Sequence, residues 1–120
     1  MSIEKEDDLS LDEVLSLCQK IDKKNIDVIL DPIIRPKTFN FIAKYMSSTE
    51  FIKEIIKSLA KEDYNKGPVE DLNPNYKHPF WIFIKYLNKY EINVYIKIKI
   101  INHHRKIIVF SFHEEGVYEI

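Results

Sequence analysis

The sequence predicts an α+β fold: N-terminal helices packed on one face of a small, mainly antiparallel, twisted β-sheet. Three observations predict it. Helical apolar spacing dominates residues 1–61, turn-forming residues crowd 62–78, and strict two-residue alternation marks the last forty positions. The length of 120 residues suits one domain, and a hydrophobic fraction of 45% is enough to close a core.

Ser10 followed by Glu13 is a capping-box pair, and Leu11, Val14, Leu15, Cys18 and Ile21 recur at helical spacing. Residues 25–30 are rich in β-branched side chains and stop at Pro32, which suits a short edge strand. Pro36 fits the start of a second helix whose apolar stripe is Phe39, Ile42, Ala43 and Met46. Ser47 and Glu50 repeat the capping spacing before a third helix carrying Phe51, Ile55, Ile56 and Leu59 and ending near Lys61.

Asp63, Gly67, Pro68, Asn73, Pro74 and Asn75 then mark 62–78 as a long loop, of a length that is often functional. Strands follow at 79–87, 92–100 and 106–113. In the central one Ile92, Val94, Ile96, Ile98 and Ile100 alternate with Asn93, Tyr95, Lys97 and Lys99. A final loop at His103, His104 and Arg105 sets Ile100 against Ile108, Ile98 against Phe110 and Ile96 against Phe112. A turn at Asn88, Lys89 and Tyr90 sets Ile82 against Ile96. The helix-facing side is then Phe80, Ile82, Ile84, the central isoleucines with Val94, and Ile108, Phe110 and Phe112. The outer side is Trp81, Phe83, Lys85, Tyr95, Lys97, Lys99, Val109, Ser111 and His113, with Tyr95 opposite His113 and Lys97 opposite Ser111.

No stretch approaches the roughly 18 apolar residues of a membrane helix, the N-terminus is acidic, and Cys18 is the only cysteine. A cytoplasmic protein is expected, with no membrane partner. A net charge of −1 argues against strong non-specific nucleic-acid affinity for the chain as a whole. The charge is uneven, however. Glu4, Glu6, Asp7, Asp8, Asp12 and Glu13 crowd the first 16 residues, whereas Lys77, Lys85, Lys89, Lys97, Lys99, Arg105 and Lys106 face Glu91 alone between positions 76 and 106. The outer sheet face, with its aromatics, ammonium groups and imidazole, suits either an ordinary solvated surface or an RNA-binding one. His78, His103, His104 and His113 lack zinc-type spacing, so no metal and no cofactor are expected. Glu114 and Glu115 read as a solvated strand end.

The segment 93–114, NVYIKIKIINHHRKIIVFSFHE, resembles the C-terminal hairpin of MqsR-type toxins of the RelE-like superfamily, in which a V-Y-hydrophobic-K strand precedes a strand ending in S-F. The stretch IIKSLAKEDYNKGPVED and Trp81 in the first strand of the sheet extend the likeness over nearly the whole chain. The resemblance implies a toxin of a type II toxin–antitoxin system: an endoribonuclease (mRNA interferase) that cuts mRNA without metal, on or off the ribosome, and is restrained by a cognate antitoxin protein. It places Lys66 and Tyr95 at family catalytic positions. His113 stands where the best-known member has lysine, and Ile82 stands where the family has glutamine. His113 is the expected acid or base, because histidine alone titrates naturally near neutral pH. Tyr95 is expected to orient or exchange a proton. Lys97, Lys99, Lys85 and Trp81 are expected to bind phosphate and base. Two other readings stay open: a non-catalytic RNA-binding module, and a protein-binding module that makes contact through the acidic N-terminus.

Overall fold

The computed structural model describes residues 8–116; Glu4, Glu6 and Asp7 of the acidic N-terminus lie outside them. Helix α1 (Leu11–Lys20) opens with the expected capping box. Ser10 Oγ accepts from the Glu13 amide at 3.2 Å, and Glu13 Oε1 accepts from the Ser10 amide at 2.9 Å. Strand β1 (Ile26–Val28) is an edge strand, paired in parallel with β5 (Lys106–Glu114). Helix α2 (Pro36–Tyr45) starts on its proline and stops at Met46, which takes a left-handed conformation at φ 51°. Helix α3 (Thr49–Lys57) is capped by Ser48, whose hydroxyl accepts from Phe51 N, rather than by Ser47.

The expected stripe of α2 is rotated. Thr38 and Phe41 are buried, whereas Phe39 and Met46 are exposed. Two partners select the other side. Phe41 and Tyr45 join Tyr90 and Phe112 in a ring cluster with centroids 4.9–5.9 Å apart. The Thr38 hydroxyl accepts from Phe112 N at 3.0 Å, where β5 has run past the end of β1.

The remaining strands are β2 (Tyr64–Val69), β3 (Phe80–Leu87) and β4 (Ile92–Ile101). The sheet order is β1-β5-β4-β3-β2, antiparallel except at β1. Part of the expected 62–78 loop, Tyr64–Val69, is therefore strand. β2 pairs irregularly with β3 at the sheet edge, the place where Pro68, with no N–H to donate, is tolerated. Its Gly67 sits at φ 145° against Trp81, where a Cβ would lie 2.9 Å from the indole Cε3. Only glycine fits there.

The core lies between α1, α3 and one sheet face: Val14, Leu15, Cys18, Ile52, Ile56 and Leu59 meet Trp81, Phe83, Val94, Ile96, Ile98, Val109 and Phe112. This is the α+β arrangement the pattern predicts, with α1 and α3 covering one face of a twisted sheet and α2 fastened along β5. Among the described residues no helix is long and apolar enough to cross a membrane.

Candidate functional site

The sheet face turned away from α1 and α3 depends on two registers, and they differ from expectation in different ways. In β4–β5, Tyr95 lies opposite His113, Lys97 opposite Ser111 and Ile96 opposite Phe112, as predicted. Closer to the turn the pairing shifts by one. Ile98 faces Val109, and Ile100 faces Ile107. A bulge at Phe110 absorbs the shift, and residues 102–105 make the turn with Asn102, His103 and His104 all at positive φ. Phe110 consequently belongs to the outer face, and Val109 to the core.

The register between β3 and β4 is slipped by one throughout: Trp81 pairs with Ile98, Phe83 with Ile96 and Ile84 with Tyr95. The turn spans 88–91, with Tyr90 in the ring cluster and Glu91 at φ 55°. β3 is apolar on both alternations, so hydrophobicity alone leaves its parity open. Burying Trp81, Phe83 and Leu87 removes more apolar surface than burying Ile82 and Ile84. Trp81, at 3% exposure, therefore belongs to the core, and it does not offer a stacking surface for a base. Lys85 points the same way and binds Asp63 Oδ2 at 3.0 Å. Neither side chain lies on the outer face, where the sequence pattern put them. Ile82 and Ile84 floor that face instead.

Tyr95, Lys97 and His113 do come together there, lining a groove walled by the start of α2. Its first compartment, of about 550 Å³, holds Tyr95, His113, Ser111 and Glu115 beside Lys37 and Thr38. A second, of about 440 Å³, runs on to Tyr76, Phe80 and the 69–73 segment. Arg35, Lys97 and Phe110 line both, so the two are one continuous trough with a cationic neck.

The rings of Tyr95 and His113 stack with centroids 5.2 Å apart and planes inclined by 21°. His113 Nδ1 lies 3.0 Å from the Glu114 carbonyl oxygen. A carbonyl can only accept, so Nδ1 is the donor, and in the neutral ring the lone pair is on Nε2. Burial pushes the Tyr95 phenol above its ordinary pKa. That shift favours the protonated phenol, the form that can donate a hydrogen bond. Burial, then the positive charges of Arg35, Lys99 and Lys66, hold Lys97 below the usual lysine range against the opposing pull of Asp71. Its ammonium lies 4.1 Å from the centre of the Phe80 ring, while the Arg35 guanidinium stands 5.1 Å over Phe110.

Lys66 sits on β2 opposite Ile82, exposed, and lines neither compartment; only its charge, the weakest of the influences on Lys97, reaches the site. Lys99 shares the face but is only 4% exposed, tied to Asp71 Oδ2 at 2.6 Å. It is thus a support beneath the groove instead of an open phosphate ligand. Glu114 turns toward α2, accepting from Tyr45 Oη at 2.7 Å and Lys44 Nζ at 3.2 Å, while Glu115 lines the groove. The chain matches no protein-family model, no curated protein and no solved structure.

The sequence reading missed Arg35, Phe110 and Tyr76. A cation one residue ahead of a helix-starting proline is the only local signal for Arg35. Phe110 is placed by the bulge and Tyr76 by the fold of the 70–79 segment, which periodicity does not encode. Among the described residues no group of three His, Cys, Asp or Glu side chains is arranged to hold a metal.

Proposed function

We propose that the trough binds RNA and cleaves it as an endoribonuclease of the toxin type, acting on mRNA in the cytoplasm and restrained by an antitoxin protein. The observation that carries this reading is the convergence of the stacked Tyr95–His113 pair with Lys97 and Arg35 in one groove. In the proposed reaction His113 Nε2 takes the proton of a ribose 2′-hydroxyl. The 2′-oxygen then bonds to phosphorus, and the bond from phosphorus to the 5′-oxygen breaks. The departing oxygen takes a proton from the Lys97 ammonium, whose lowered pKa makes it a stronger acid than an ordinary lysine. Arg35 and Lys66 stabilise charge on the phosphoryl oxygens, and the Tyr95 hydroxyl donates to one of them. The chain's own cations supply the positive charge, so the reaction as proposed uses no metal and leaves a 2′,3′-cyclic phosphate.

The binding-only reading is favoured by one observation: apolar Ile82 and Ile84 floor the trough beneath the reacting groups. End-labelled mRNA incubated with the full chain in chelator separates the two. Discrete fragments with cyclic phosphate ends, lost by roughly 10²–10⁴-fold in His113→Ala, support the nuclease. RNA that is shifted in a gel yet uncut points to the binder. RNA neither bound nor cut removes both. Growth arrest on expression, relieved by the His113 substitution, tests the toxin reading.

A further inference from the structure

We propose that the second compartment is a nucleobase subsite, so that the smallest recognised substrate is a dinucleotide whose phosphate sits at the Arg35–Lys97 neck. The proposal rests on the RNA reading of the trough and names what lies beyond the reacting phosphate. Phe80 and Phe110 meet edge to face, with centroids 5.2 Å apart and planes at 90°, forming a corner. Tyr76, 60% exposed, stands at the open side of that corner. The Lys99 ammonium lies 4.5 Å from the Phe80 centroid and 5.3 Å from those of Phe110 and Tyr76, so three rings converge on one cation.

Asp71 pins this arrangement. It accepts from Lys99 at 2.6 Å and from Asn73 N at 2.9 Å, holding the 70–76 segment over the corner. Because Asp71 is committed to Lys99, Lys97 and Arg35 carry the net positive charge at the neck. A flat apolar group next to an anion fits this trough, and that is the chemistry of an unpaired base joined to its phosphodiester. Rings stack bases of any sequence, so this end contributes affinity more than sequence selectivity.

The test uses a dinucleoside monophosphate, 2′-O-methylated on its 5′ nucleoside so that it cannot be cut, and its two singly abasic versions, titrated calorimetrically into the full chain. One abasic version is expected to bind roughly five- to a hundred-fold more weakly than the intact compound. Tyr76→Ala, an exposed position that leaves the core intact, is expected to weaken the intact compound and to shrink that penalty. Phe110→Leu should shrink the same penalty, because it weakens the intact compound while changing least the version that already lacks that base. The proposal is overturned if neither missing base matters, or if the penalty persists undiminished in both variants. Cleavage of mRNA with no abasic penalty would remove the subsite and leave the nuclease. A ring-dependent penalty without cleavage of any RNA would do the reverse.

Discussion

Replacing Thr38 with valine tests how the groove wall is attached to the strand that carries His113. Thr38 is 1% exposed, and its hydroxyl is the acceptor for the buried Phe112 amide at 3.0 Å. Valine keeps the shape and removes the oxygen, leaving that N–H without its partner in an apolar setting. An orphaned buried donor costs about 1–3 kcal/mol, which in a domain of this size lowers Tm by roughly 4–12 °C. Thr38→Ser, which keeps the hydroxyl and loses one methyl, costs about 0.8 kcal/mol. Paired thermal and urea melts of the three proteins read both numbers. Hydrogen exchange at the Phe112 amide reads the cause, since this proton should exchange faster in the valine variant alone. If Thr38→Val melts with the wild type, or if serine is the worse of the two, the hydrogen bond does not fasten α2 to β5 and the reasoning fails.

Lys85→Ala is expected to leave RNA binding unchanged, because its ammonium serves Asp63 on the helix side, and to cost roughly 1–3 kcal/mol of stability. Lys97→Ala should weaken RNA binding and flatten its salt dependence by about one phosphate contact, read by titration at several salt concentrations. Cys18, whose pKa is pushed up to about 12 by burial, is expected to resist alkylation at pH 8 in the folded protein and to react at once in denaturant. The Asp71 carboxyl is held below its usual 3.8 by the hydrogen bond from Lys99, then by the Asn73 amide. Because its folded pKa is depressed, its contribution is complete above 3.8 and is lost as pH falls below that value. Asp71→Asn should therefore flatten the acid limb of a stability–pH profile, measured by urea midpoint, and leave the neutral limb parallel to the wild type.

Where the sequence was legible, one alternative was chemically distinct from the other. β4 alternates isoleucine with tyrosine and lysine, so its two faces differ and its parity reads directly; the Tyr95–His113 and Lys97–Ser111 pairs followed from it. β3 is apolar at almost every position, so sliding it by one residue changes little in hydrophobic content. The slip that moved Trp81 and Lys85 to the helix side was invisible for that reason. Similarly, the stripe of α2 was misread because a threonine, bound to a strand amide, occupies the buried position that a spacing rule reserves for an apolar residue. β2 was hidden by Gly67 and Pro68, which mark a loop in most contexts but are admissible in an irregular edge strand. The capping box of α1 was local, and it appeared as expected. The groove's neck was long-range: Arg35, Lys97 and Phe110 come from three elements, and no spacing links them.

The parallel pairing of β1 with β5 joins Asp27 to Ile108 across most of the chain's length. During synthesis on the ribosome, β1 waits without its partner until α2, α3 and the three intervening strands have been made and β5 has emerged. Such non-local closure slows folding relative to a sheet built only from adjacent hairpins. The wall bearing Arg35 and the strand bearing His113 are also brought together at that late step, so a nascent or truncated chain lacking β5 would possess the helices and the first hairpin but no assembled groove.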